Sequence, residues 1–318
     1  MAFGMSLTFY THDACLDHDP GTGHPENPGR LAGILRALED AAISDQLVRA
    51  EAPLGTDAQV LLAHDARLLD KVKASAPKQG TVSLDADTHM SPGSLEAALR
   101  AVGATCQGVD DLMVGTTDNI FCATRPPGHH ATPTHAMGFC LFNHAAIAVL
   151  HAMQHHGLER VALVDFDVHH GNGSQDIANS REGFFYISTH QSPLYPGSGY
   201  EEENRNNNIL NVPLHGGTGH TSYTRVFTDL VLPALHAFQP QLLVVSAGFD
   251  AHQADPLAGM ALTDDTYYWL GQQLRQVAMQ HCDSRLLSTL EGGYNLGVLP
   301  GSVLAYLQGT LEQSFSSS

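Results

Sequence analysis

Asp165, Asp167 and His169 fall at alternate positions of the stretch Val161-Ala-Leu-Val-Asp-Phe-Asp-Val-His-His-Gly-Asn-Gly173. The apolar run 161–164 reads as a buried strand of a parallel sheet. On an extended chain, alternate residues point to one side. Two carboxylates and an imidazole on one face make a poor core and a good ligand set for a borderline ion such as zinc, or for iron(II). Asp250 follows a second apolar run, 241–247. Taken alone, Asp250 would read as a turn cap. Beside the first run it completes a three-residue set with Asp167 and His169, which leaves the open position that a catalytic zinc keeps.

His129 and His130 stand in tandem after Pro126-Pro-Gly128. The prolines and the glycine fix the backbone and let it approach other elements closely. Two imidazoles on a rigid turn suit acid–base work near neutral pH. Asp165 and Asn172 are candidate partners, one a carboxylate and one an amide. A carboxylate holds its histidine cationic, while an amide leaves the other titrating nearer neutrality. Tyr294, after Glu291-Gly-Gly293, sits on a loop tight enough to bring a phenol toward a metal, where it would donate to an oxyanion. Phe139, next to Gly138, and Tyr195, in Leu194-Tyr-Pro-Gly-Ser-Gly199, are aromatics in glycine-rich loops. Such residues either line a narrow channel for an aliphatic chain or pack in a core.

These side chains need elements to hold them. Hydrophobic patterning predicts strands at 120–123, 161–167, 184–189, 209–212, 241–247 and 285–290. It predicts helices at 29–42, 94–113, 143–156, 223–238, 265–280 and 297–311. This alternation implies an α/β fold, a mainly parallel central sheet flanked by helices. No repeat or linker divides the chain, so a single domain over 1–318 is expected. Ligands of open parallel sheets bind beyond the carboxyl ends of the strands. Four polar, glycine-rich loops, 125–130, 165–173, 246–250 and 291–294, should therefore meet at one edge of the sheet.

Composition narrows the function. A net charge of −18 argues against binding nucleic acid through its phosphates and favours cationic substrates or simple solubility. No apolar run is long enough to span a membrane. Met1–Leu7 lacks the features of a signal peptide. The five cysteines are scattered and odd in number, which reads as reduced thiols in a cytoplasmic protein. Low complexity is confined to Ser314–Ser318.

Taken together, these segments resemble the zinc-dependent histone deacetylase family, within the arginase/deacetylase fold. The motifs are His24-Pro-Glu-Asn-Pro-Gly-Arg30, Arg125-Pro-Pro-Gly-His-His-Ala131, Gly138-Phe-Cys-Leu-Phe-Asn143, Asp165 to Gly173, Tyr195-Pro-Gly-Ser-Gly199, Ser246-Ala-Gly-Phe-Asp-Ala251 and Glu291-Gly-Gly-Tyr294, spread over about 24–296. Asn172, Arg125-Pro-Pro127 and Glu291-Gly-Gly293 resemble the class II branch and its bacterial members. The resemblance implies zinc on Asp167, His169 and Asp250, with His130 as general base and then acid. It implies a protonated His129 paired with Asp165, and Tyr294 at the oxyanion. Gly138, Phe139, Tyr195 and Leu257 would border an acyl-lysine tunnel, with Asp87 at its rim. A structural K+ or Na+ would sit near Asp165, Asp167, the His169 carbonyl, Ser188 and Thr189. The expected partner is an acyl-lysine protein or peptide, or a small acylated amine.

Three rivals compete with lysine deacylation. An acetylpolyamine amidohydrolase would use the same chemistry on a small substrate. The family's polyamine-selective members carry a glutamate where this chain has Leu257, which offers no charge to a distal ammonium. An arginase-like dinuclear manganese hydrolase would need more carboxylates around Asp250. A non-catalytic acyl-lysine binder should have lost a ligand, the base or the tyrosine, and all are present.

Overall fold

The computed structural model describes residues 7–205 and 208–312. The expectations for the extreme N-terminus and for Ser314–Ser318 lie outside the described residues. The strands, in chain order, are β1 (Leu7–Thr11), β2 (Leu47–Glu51), β3 (Val82–Ser83), β4 (His89–Met90), β5 (Asn119–Cys122), β6 (Val161–Asp165), β7 (Phe184–Gln191), β8 (Ile209–Leu214), β9 (Leu242–Ala247) and β10 (Leu286–Leu290). Eight of them form one sheet in the order β2-β1-β5-β10-β9-β6-β7-β8, and every neighbouring pair is parallel. β3 and β4 form a separate antiparallel pair.

Both faces of the sheet are covered. Ala162 and Val164 of β6, with Leu243 and Val245 of β9, pack beneath helices Gly29–Glu39, Asp264–His281 and Leu299–Leu311. Val161, Leu163, Leu242 and Val244 face the opposite layer, built on helices Ser94–Val114 and His144–His156. The unbroken apolar runs thus reflect strands buried on both sides. Among the described residues, no helix is long and apolar enough to cross a membrane. All five cysteines are free and buried.

The predicted elements are present with shifted ends, and two strands of the sheet, β1 and β2, were not anticipated. The strand predicted over 161–167 stops at Asp165, so Asp167 and His169 do not lie on an extended chain. A helix, Asn172–Ala178, begins where only a loop was expected. The helix predicted over 223–238 runs through a wider π turn at Phe227–Val231. Pro233 lies just beyond that turn, and its ring and missing N–H disturb regular α-helical bonding to the preceding turn. β5, β10, β9 and β6 are consecutive neighbours and parallel. Their four following loops therefore emerge side by side at one edge.

Candidate active site

At that edge Asp167, His169 and Asp250 converge. His169 Nδ1 lies 3.1 Å from Asp167 Oδ1 and 3.1 Å from Asp250 Oδ2, and one ligand atom from each lies within 4.8 Å of the others. Ligands on one tetrahedral zinc, each about 2.0 Å from it, sit about 3.3 Å apart, so these separations suit the ion. The remaining carboxylate oxygens are fixed by backbone: Gly292 N–H donates to Asp167 Oδ2 at 2.8 Å, and Val168 N–H to Asp250 Oδ1 at 2.9 Å. A Cβ on Gly292 would stand 2.1 Å from Asp250 Oδ2 and 2.5 Å from Asp167 Oδ2, so only glycine permits this approach.

The electrostatics favour a cation here. Burial, then the Asp167 charge, pushes the Asp250 carboxyl up to about 7. Burial opposes charge on His169, yet its hydrogen bonds to Asp167 and Asp250 carry it up to about 10. Two buried carboxylates facing one imidazole nitrogen demand compensating positive charge, which a divalent ion held there would supply.

The two tandem histidines are set apart by their partners. His129 Nδ1 lies 3.1 Å from Asp165 Oδ2, whereas His130 Nδ1 lies 2.9 Å from Asn172 Oδ1. Burial works against charge on both. For His129 the carboxylates of Asp167 and Asp165 overcome it and raise the imidazole to about 10. For His130 burial is joined by the charges of His129 and His169, and the imidazole falls well below its ordinary value. Burial also raises the Asp165 carboxyl, but two acidic groups face His129, so the charge settles on that ring. Asp165 further accepts from Tyr186 Oη at 3.0 Å. Asn172 Oδ1 fixes the proton of neutral His130 on Nδ1, leaving the Nε2 lone pair available.

A cavity of about 220 Å³ opens onto this cluster and is lined by His130, His169, Tyr294, Gly138, Phe139, Leu194, Tyr195, Leu257 and Asp87. All five residues expected at the tunnel line it, and Leu194 joins them. Phe139 holds a left-handed backbone at φ 66°. Its ring meets Tyr294 edge-on at 5.7 Å, as Tyr195 meets His130 at 5.1 Å. Gly138 admits no side chain, because a Cβ would lie 2.4 Å from His130. Asp87, between β3 and β4, accepts Gly138 N–H at 3.2 Å, so it holds the aromatic loop. Of the expected monovalent-ion set, Asp165 pairs with Ser188 in the sheet register. The Ser188 hydroxyl lies 2.8 Å from His190 Nδ1, and that of Thr189 lies 2.6 Å from Tyr223 Oη.

Glu26, Arg30, Glu291 and Asn143 stand in the motifs without an assigned role, Asp255 lies outside them, and all five support the site. Glu26 is fully buried and binds Arg125 at 2.5 Å, Arg30 at 3.0 Å and His18 at 3.1 Å. Burial opposes its charge, yet Arg125, His18 and Arg30 hold the carboxyl well below the usual range. Arg30 donates to the carbonyls of Gly293 and Glu291 at 2.6 and 2.5 Å and stacks 4.8 Å over the Tyr294 ring. Asp255 accepts Tyr294 N–H at 2.7 Å. Glu291 accepts Gly128 N–H at 2.6 Å and Ser246 Oγ–H at 3.0 Å. Asn143 caps helix His144–His156 by accepting Ala146 N–H, and its Nδ2 donates to Ser174 Oγ at 3.0 Å. The available signal was charged residues set among prolines and glycines next to apolar runs. Glu26 and Arg125 are 99 positions apart, Glu291 and Gly128 163, and Arg30 and Gly293 263, so spacing does not reveal these contacts.

The chain is similar to known proteins. Residues 24–310 match the histone deacetylase domain family. A histone deacetylase-like amidohydrolase of Pseudomonas aeruginosa is 40% identical over 291 residues, which are 90% of this chain and 76% of that protein. A probable deacetylase of Archaeoglobus fulgidus is 36% identical over 296 residues, 91% of this chain and 82% of its own. The crystal structure of the HDA15 HD domain superposes with a TM-score of 0.91 at 34% identity, covering 97% of this chain and 89% of that one. The chain belongs to the histone deacetylase family and is an amidohydrolase of the deacetylase type.

Proposed function

We propose that this enzyme hydrolyses the acyl amide of Nε-acyl-lysine in a protein or peptide, with Asp167, His169 and Asp250 holding zinc, or iron(II). The observation that carries this reading is the cavity whose lining includes His130, His169 and Tyr294 and whose walls are otherwise mainly apolar. A bound ion would supply Lewis-acid polarisation of the carbonyl and acidify water. His130 Nε2 takes the proton from the attacking water as the C–O bond forms. It returns that proton to the amine nitrogen as the C–N bond breaks. His129 stays cationic and stabilises negative charge beside the reacting carbon. The Tyr294 phenol is pushed well above its ordinary value by burial, with the nearby Arg30 charge acting the other way. It therefore keeps its proton and donates to the carbonyl oxygen as charge grows there.

Leu257 favours lysine over a polyamine, because an apolar wall offers no partner to a distal ammonium. The buried, free cysteines support a reducing compartment such as the cytoplasm. A K+ or Na+ beside Asp165 and Ser188 follows from the family resemblance, and a potassium titration of activity tests it. Measurement of kcat/KM for an acetyl-lysine peptide and for acetylputrescine, side by side, tests the substrate reading. A large preference for the peptide is expected, and a large preference for the polyamine would refute it.

A further inference from the structure

A second group of metal-ligating side chains meets at the far end of the helix that Asn143 caps. Asp110 on helix Ser94–Val114 faces His151 and His156 on helix His144–His156. Asp110 Oδ1 lies 2.8 Å from His151 Nε2 and 2.7 Å from His156 Nε2. One ligand atom from each lies within 4.8 Å of the others. The neighbouring Asp111 is committed elsewhere, to Tyr10 Oη at 2.5 Å and Gln107 Nε2 at 3.0 Å. At 1.5 Å per residue, His151 and His156 lie roughly 12–20 Å along the axis from Asn143. The cluster is thus separate from Asp167, His169 and Asp250.

We propose that Asp110, His151 and His156 form a second site, for a divalent first-row transition ion that clamps the two helices together. Two imidazole nitrogens and one carboxylate oxygen are a donor set for zinc, cobalt(II) or nickel(II). His151 is 6% exposed, and its Nδ1 is buried with no hydrogen-bond partner. A buried imidazole with one unpaired nitrogen is an unfavourable filler for a helix interface, so its presence there points to a task for Nε2. The Asp110 and His156 side chains are 40% and 23% exposed, which gives an ion access and leaves room for water to complete its coordination.

The test is equilibrium dialysis of the full chain against micromolar Zn2+, followed by elemental analysis of the wild type, His156→Ala and Asp110→Asn. Each variant should hold one ion per chain fewer than the wild type and keep wild-type deacetylase turnover. The readout is a difference, so it stands whether or not the catalytic site takes its own ion. Asp110→Asn preserves side-chain size and keeps the test decisive if His156→Ala folds poorly. Equal metal content in the wild type and the folded variants would overturn the proposal, because the cluster would then be a hydrogen-bonded pin between helices.

Discussion

His64 gives a prediction whose size follows from geometry. Asn143 N–H donates to His64 Nε2 at 2.8 Å, so that nitrogen carries no proton. The ring proton is therefore on Nδ1, 2.9 Å from the Thr132 carbonyl. His64 thus ties the tandem-histidine loop to the helix behind it, and it does so only when neutral. Burial lowers its imidazole from 6.5 to about 4, with the Thr132 carbonyl acting the other way. Below pH 6.5 the unfolded chain binds a proton that the folded chain refuses. The contribution to stability is therefore full above 6.5 and lost as pH falls through about 4. Integration over that window gives about 2 kcal/mol lost by pH 5 and about 3 kcal/mol by pH 4. His64→Gln keeps an amide that can accept Asn143 N–H and does not titrate. Urea unfolding followed by circular dichroism should find the variant less stable at pH 7 by about 1–2 kcal/mol. The gap should then close on acidification and reverse by pH 4. Other buried histidines, such as His144 at about 3 and His170 at about 4, destabilise both proteins alike and cancel in the difference. A gap that stays constant between pH 7 and pH 4 would refute the assigned tautomer and the burial argument together.

Asn172→Asp places a carboxylate on His130 and raises its imidazole, so the acid limb of kcat/KM should move up by about one to two pH units, with activity retained on the alkaline side. An unmoved limb in the pH profile would exclude His130 as the base. Glu26→Gln leaves Arg125 and Arg30 buried without their charge partner, and chemical denaturation should report a loss of about 3–5 kcal/mol. Gly292→Ala drives a Cβ into Asp250 and Asp167, so metal uptake at the catalytic site should fall, while circular dichroism shows the fold retained.

The central strands could be read from sequence because β5, β6, β9 and β10 are short apolar runs ending in polar loops. β2 could not, because it is an edge strand in which Val48, Arg49 and Glu51 are exposed, so it shows no burial pattern. β1 is buried but only five residues long, and its signal depends on neighbours that pair from elsewhere in the chain. The helix Asn172–Ala178 is masked by the glycines at 171 and 173, which read locally as loop. In the site, the candidate ligands and the two histidine partners could be read because one short stretch carries most of them. The supports formed by Glu26, Arg30, Glu291 and Asp255 depend on packing between distant loops, and spacing carries no trace of that. Asp165 shows the limit of periodicity: alternation put it on the metal face, but the strand ends there and its carboxylate turns to His129.

On the proposed reading, Asp167, His169 and Asp250 hold the ion on which amide hydrolysis depends. The direct measurement is acetate release from an acetyl-lysine peptide by the chelated protein as Zn2+ is added back, with Asp250→Asn in parallel. No turnover is expected in the chelated wild type, with recovery as Zn2+ is added back and no recovery in the variant. Turnover by the metal-free protein, or full zinc-dependent recovery in Asp250→Asn, would contradict that reading.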